Sequence, residues 1–223
     1  MKKIFVITLL VASLLLSACS LTILGQDIVR GSGNVISEAR EVSGFTGVEV
    51  VGSAEVEVSF GESESVVVET DDNIMPLVET EVRGGVLVIS MKRNVSITTL
   101  RPIRVQVTMK EMDLAAIPGS GSIEISGLQA EQVKFELAGS GMIRADGQVD
   151  EMEVILTGSG NLECDELQSR SATVQLSGSG TVEVYAADEL EVSISGSGVV
   201  SYNGDPETVR ESVTGSGRLV SER

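Results

Sequence analysis

Acidic side chains are the residues in this sequence best placed for chemistry, and their spacing repeats. Glu124, Glu163 and Glu183 recur in phase, Arg144 holds the same phase between the first two, and Asp146 and Asp165 follow two residues after Arg144 and Glu163. Where such copies stack as neighbouring strands, equivalent carboxylates lie about 5 Å apart. That is close enough to share a hard cation or to raise one another's pKa. Asp146, Asp165, Glu163 and Glu183 are therefore candidate low-affinity Ca2+ ligands. The same acids are the candidate acid and base of a carbohydrate-active enzyme. The plainer reading is a solvated acidic face that opposes edge-to-edge association. The Gly-Gly-x-Gly-x-Asp calcium repeat does not occur.

Other chemistry is sparse. The chain has no histidine, so Ser-His-Asp and Cys-His arrangements and histidine metal sites are excluded. Cys164 alternates in phase with Leu162 and occupies the place of Ile125 and Val184 in neighbouring copies, which predicts a buried, inert thiol. Tyr202 shares the inward phase, leaving Tyr185 as the one outward aromatic of that region and a thin basis for sugar binding. Glycine-rich tripeptides stand between strand-like segments, not between a strand and a helix, which argues against a phosphate loop. No catalytic residue and no cofactor is expected, and the chain reads as a non-enzyme.

The elements that must carry the acids are set by a repeat. Gly-Ser-Gly begins at 119, 139, 158, 178, 196 and 215, at intervals of 20, 19, 20, 18 and 19; an earlier copy begins at Gly31 and a near copy is Gly52-Ser53-Ala54. Segments before the motif alternate with period two, as in Val133/Phe135/Leu137, Met152/Val154/Leu156, Ala172/Val174/Leu176 and Leu190/Val192/Ile194. Segments after it do the same, as in Ile123/Ile125, Ile143/Ala145, Leu162/Cys164 and Val182/Val184. Period two marks strands with one buried face. A further apolar position recurs at Leu128, Val149, Leu167, Ala187 and Pro206. A unit of about 19 residues cannot bury its apolar face alone, but stacked copies can. This predicts an all-β, right-handed parallel β-helix, the hand following the usual crossover preference. The motif serines Ser120, Ser140, Ser159, Ser179, Ser197 and Ser216 should form one column and exchange hydroxyl hydrogen bonds.

The N-terminal part is less regular. Val48 to Val58 reads as one more rung, Val66 to Thr70 as a strand, and Asp71 to Leu77 as a connection with one helical turn. Val78–Val82 and Val86–Ile89 read as a hairpin, and Ile103 to Met109 as a strand. This region should help cover one end of the solenoid. At the other end Glu211 and Ser221 enter inward columns, a polar turnover expected of a last rung.

Residues 1–18 read as a lipoprotein signal peptide. Met1-Lys2-Lys3 is basic, Ile4 to Leu16 is apolar and too short to span a bilayer, and Leu16-Ser17-Ala18 precedes Cys19. Lipidation of Cys19 would anchor the chain to a membrane. Residues 19–44 are expected as the lipidated tether and 45–223 as the folded domain. Ser20 lacks the aspartate of inner-membrane retention, so in a host with two membranes the outer membrane is expected. The formal charge is −17, and loss of Lys2 and Lys3 takes it to −19. Such a surface repels phosphate backbones, so nucleic acid is not an expected partner.

Several motifs together resemble a known family. Beside the Gly-Ser-Gly array stand Phe45-Thr46-Gly47-Val48-Glu49-Val50, Gly84-Gly85-Val86-Leu87-Val88-Ile89-Ser90 and Tyr202-Asn203-Gly204-Asp205-Pro206. Their order and spacing, over roughly 45–220, are similar to the auto-transporter adhesin head GIN domain, a bacterial envelope domain of unknown function. Lys110-Glu111-Met112 departs from the family's usual proline-leucine turn. The resemblance implies a β-helical fold in a cell-envelope setting and brings no catalytic residues. The expectation is a lipid-anchored, adhesin-like envelope protein for adhesion or scaffolding, presenting a rigid acidic surface to a protein or glycan partner. The alternatives are a carbohydrate-active enzyme using the outward acids and an accessory or sensor lipoprotein in envelope stress.

Overall fold

The computed structural model describes residues 27–222. The expected signal peptide, Cys19 and Ser20 lie outside the described residues. In chain order the strands are β1 (Asp27–Arg30), β2 (Val35–Arg40), β3 (Gly47–Val50), β4 (Glu55–Phe60), β5 (Ser65–Asp71), β6 (Val78–Arg83), β7 (Val86–Met91), β8 (Val95–Thr98), β9 (Arg104–Met109) and β10 (Leu114–Ile117). The long β11 (Ser122–Gly139) and β12 (Met142–Gly158) follow. After them come β13 (Asn161–Cys164), β14 (Leu167–Gly178), β15 (Thr181–Tyr185), β16 (Glu189–Gly196), β17 (Val199–Asn203), β18 (Thr208–Gly215) and β19 (Arg218–Ser221). The only helix among the described residues is a single 3-10 turn, Met75–Leu77.

These strands stack as a parallel β-solenoid, as the repeat requires. One wall runs β9, β4, β11, β12, β13, β15, β17, β19, and the other runs β7, β3, β10, β11, β12, β14, β16, β18, every step parallel. At about 4.8 Å per step, each wall is roughly 34 Å tall. Inward columns line up residue on residue. The first wall carries Val105, Val56, Ile123, Ile143, Leu162, Val182, Val200 and Leu219. The second carries Leu87, Val48, Ala115, Phe135, Val154, Val174, Val192 and Glu211. All but Leu219 and Glu211 are buried. Burying each such aliphatic side chain contributes about 1.5–3 kcal/mol, which a single rung could not collect without its neighbours. Glu211 is exposed at the inward position of the last rung and Ser221 pairs with Tyr202, so the polar turnover is present.

The Gly-Ser-Gly bends form the column that joins the two walls. The backbone N–H of Ser179 donates to the Gly158 carbonyl at 2.9 Å, and that of Ser159 to Gly139 at 2.9 Å. The series begins on Gly52, to which Ser120 donates, so Gly52-Ser53-Ala54 is its first member. The expected exchange of serine hydroxyls does not occur among the described residues. Those side chains are exposed and face solvent, and backbone bonds alone link the bends.

Two other expectations are corrected. Ala187 is only half buried, and Ala186 is the fully buried residue at that corner. Leu128, Gly147 and Leu167 share one column, while Ala130, Val149 and Ser169 share the next. The apparent nine-to-ten-residue recurrence therefore merged two columns. The reason is a bulge: the β11–β12 register shifts between Ile125 and Leu128, where Ser126-Gly127 stands against Asp146 alone. The first Gly-Ser-Gly, at Gly31, is likewise no rung. The Ser32 hydroxyl donates to Asp72 Oδ1 at 2.5 Å, and the Gly33 N–H donates to Asp71 Oδ1 at 3.1 Å. This turn is a clasp on the cap.

The cap is antiparallel. β5 runs against β9, β2 against β5, and β6 against β7, covering the outer edges of the first rungs. The stretch expected as tether thus supplies β1 and β2 to the folded body from Asp27 onward. β1 pairs in parallel with β8 as a separate two-stranded sheet. Met112, in the turn that departs from the family pattern, is buried and fills the apolar slot there.

Candidate functional site

Strand alternation puts the acids on the outside of the first wall because their neighbours point in. Register gives the outward column as Gln106, Glu57, Glu124, Arg144, Glu163, Glu183 and Ser201. This matches the phase read from the sequence. Arg144 turns to one side of the column: its Nε donates to Glu163 Oε2 at 2.9 Å, and a second guanidinium nitrogen reaches the same oxygen.

Beside this pair lies a shallow cleft of about 230 Å³ lined by Arg144, Ala145, Glu163, Asp165, Glu166 and Glu183. Burial pushes the Glu183 carboxyl above its ordinary value, and the negative charges of Asp165, Glu222 and Glu163 add to the shift while Arg144 opposes it. Glu166 was not singled out from the sequence. It enters the cleft because the register between β12 and the next rung breaks after Arg144–Glu163 and resumes at Gly147–Leu167, which leaves one extra residue there.

Asp146 is not in the cleft lining. Its Oδ1 accepts the backbone N–H of Gly127 at 2.7 Å and closes the bulge. The four calcium candidates are thereby divided: Glu163, Asp165 and Glu183 meet at one cleft, and Asp146 holds backbone. Calcium takes six to eight oxygen ligands, and among the described residues no group of three or more acidic or cysteine side chains is placed to hold a metal ion. Cys164 faces the core and is fully buried; desolvation, aided by the neighbouring Asp165 charge, pushes its thiol pKa far up. Tyr185 is half buried on the outward phase, and Tyr202 packs against the core.

Residues 44–206 match the family model described as "Putative auto-transporter adhesin, head GIN domain". The chain belongs to this family. Solved structures with the same fold include an adhesin-named protein from Bacteroides fragilis, 17% identical, with a TM-score of 0.73 over 87% of this chain and 100% of that one. A protein from Parabacteroides distasonis named for lipid binding is 24% identical, with a TM-score of 0.59 over 88% of this chain and 100% of that one. An adhesin-named protein from Parabacteroides merdae is 18% identical, with a TM-score of 0.55 over 88% and 100%. At these identities the likeness shows the fold alone. No curated protein matches the chain by sequence. No helix among the described residues is long and apolar enough to cross a membrane.

Proposed function

We propose that this GIN-domain chain is a non-enzymatic, lipid-anchored envelope protein whose outward acidic column engages a protein or glycan partner in adhesion or envelope scaffolding. The observation that carries the reading is the register-locked column from Glu57 through Glu183. Each side chain there is fixed at the rung spacing by the buried residue on either side, so the surface is preorganised and loses little freedom on binding. The adhesin-like family supports the same use, and Cys19 after the apolar leader supports the anchor. In a host with two membranes the anchor is in the outer one.

The test is retention of envelope components on the immobilised body, compared with Glu124→Lys and Glu183→Lys together. Both positions point outward, so the fold should survive and retention should fall at least tenfold. Undiminished retention sinks the reading. The anchor is tested separately, by incorporation of labelled fatty acid and its loss in Cys19→Ala.

A second reading has one observation in its favour. Glu183, whose carboxyl pKa is raised by burial, shares a cleft with Asp165 and Glu163, and a carboxylic acid of raised pKa beside a second carboxylate is what glycoside cleavage uses. Polysaccharide cleavage that is lost in Glu183→Gln and in Asp165→Asn would establish it in place of the first.

A further inference from the structure

The base of the Gly-Ser-Gly column departs from the repeat in a way the acidic-column reading does not use. In the first rung Val50 and Glu55 are separated by four residues. In the rung beneath, their register partners Ile89 and Arg104 are separated by fourteen. The ten extra residues replace a bend with a ledge: the turn Lys92-Arg93-Asn94, then β8, then the loop 99–102. β1 lies along it, pairing Ile28 with Ser96 and Arg30 with Thr98. Val29 and Ile97 turn in and pack on the core, which leaves Ile28 and Arg30 on the outer face.

This ledge has the opposite character to the rest of the surface. Leu100 is fully exposed at 102% and Ile28 is 74% exposed, the two most exposed large apolar side chains among those described. Between Glu81 and Glu111 the chain has no acid and six basic residues, against an overall charge of −17. Of these, Lys92, Arg93 and Arg101 flank β8, and with Arg30 they have no carboxylate partner among the described residues. In the cap, Asp71 and Asp72 are taken up by Thr99 and by the Gly31–Asn34 turn, and the one acid in the ledge strands is Asp27, opposite Val95. An exposed leucine beside a strand with cations at both ends is the composition that seats a loop at a lipid head-group layer: the apolar tip enters the interface and the cations meet phosphates.

We propose that the β1–β8 ledge docks on an anionic lipid surface, with Leu100 inserted among the head groups and Arg30, Lys92, Arg93 and Arg101 on their phosphates. The proposal rests on the anchored reading of the N-terminus, which also supplies the geometry. Seven residues separate Cys19 from Asp27, so an extended tether reaches roughly 28 Å at most. The ledge is therefore held next to the bilayer. Docking there stands the solenoid away from the membrane and turns its −19 mature body outward, so that attraction is confined to one end.

The test supplies its own tether and so does not depend on Cys19 being lipidated. The chain from Ser20 onward, with a hexahistidine at its N-terminus, is held on vesicles bearing nickel-chelating lipid. An environment-sensitive fluorophore is placed on Thr98→Cys, which keeps Leu100, or on Ser179→Cys in the bend column as a control; buried Cys164 does not label. On phosphatidylethanolamine–phosphatidylglycerol vesicles the probe at 98 should shift to the blue. Brominated lipid should quench it several-fold more than the probe at 179. Leu100→Ser and the Arg93→Glu, Arg101→Glu pair should each abolish the difference, as should high salt for the wild type. A probe at 98 that stays in water overturns the proposal. So does equal burial on neutral phosphatidylcholine, and so does burial that appears only when soluble envelope protein is added, which would make the ledge a protein interface.

Discussion

The side chain of Leu156 lies against Gly180 of the next bend: a Cβ on that glycine would fall 2.7 Å from Leu156 Cδ2 and 2.5 Å from the Gly160 carbonyl oxygen. The leucine that closes one rung thus packs where the following rung has no side chain. The second glycine of the tripeptide is required by closeness rather than by backbone angle, since its φ is ordinary. The first glycine is required by both. Gly178 has φ +130°, and a Cβ there would meet Gly158 O at 2.2 Å.

Three alanine substitutions should therefore rank in a definite order. Gly33→Ala, at φ +84° with nothing within 4 Å, should cost about 1 kcal/mol from backbone strain alone. Gly180→Ala should cost about 2 kcal/mol, in the range for overpacking, because the neighbour is partly rigid backbone. Gly178→Ala should cost about 3 kcal/mol or more, adding strain to a backbone clash. Thermal melts decide it, since each kcal/mol is about 2–4 °C for a chain of this size. Equal melting points for Gly33→Ala and Gly178→Ala would show that the bend column bears no packing load.

That ranking also marks what was legible in the sequence. Inward columns could be read because Val154, Val174 and Val192 repeat both in type and in phase, and period two leaves no other face for them. The outward order Glu124, Arg144, Glu163, Glu183 followed from the same phase. The choice of Glu163 over Glu124 as the partner of Arg144 did not, because both are one rung away and side-chain torsions decide between them. The corner at Ala186 was misassigned to Ala187, and the Gly127 bulge was missed, because an interval that varies from 18 to 20 residues does not say where the extra residue sits. The ledge was invisible for a different reason. It interrupts a rung that carries no tripeptide, so no repeat marks its ends. The Gly31 tripeptide misled in the opposite way, since its clasp on Asp71 and Asp72 uses the same residue types for a different turn.

Asp146 should prove structural. Its carboxylate accepts the Gly127 N–H at the bulge, so Asp146→Ala should lower stability by about 1 kcal/mol, the ordinary value of such a bond. Millimolar Ca2+ should leave the melting temperature of the wild type and of Asp165→Asn unchanged, because Arg144 occupies Glu163 and the remaining carboxylates supply too few oxygens. A calcium-dependent rise that disappears in Asp165→Asn would instead assign the cleft to a cation.

Cys164 should behave as core. It is fully buried between Ala145 and Val184 in its column, and desolvation holds its thiol protonated well beyond neutral pH. A thiol reagent should modify the native protein no faster than it unfolds and should modify denatured chain at once. Cys164→Ser should cost about 1–3 kcal/mol by burying a hydroxyl in an otherwise apolar column. Cys164→Val, which copies Val184 one rung on, should stay within about 1.5 kcal/mol of wild type. Rapid labelling of folded protein would mean that the wall opens at β13.

Glu183 should make stability depend on pH with a sign opposite to that of a salt-bridged acid. Its folded pKa lies above the unfolded value, chiefly through burial and then through Asp165. In the window just above the ordinary glutamate range the folded state therefore binds more protons than the unfolded state. Stability from this group is present below that window and is lost as pH rises through the folded pKa. Glu183→Gln removes the titration, so the variant should melt higher than wild type at neutral pH and converge with it near pH 4. Arg144→Gln should enlarge the difference, because the one charge that lowers the Glu183 pKa is gone. The measurement is a set of melts from about pH 4 to 8, read as the difference between variant and wild type, in which a common acid denaturation cancels. A difference that does not change with pH would mean that Glu183 is fully solvated. The cleft would then lose its claim to unusual carboxylate chemistry, and the column would be left with charge display alone.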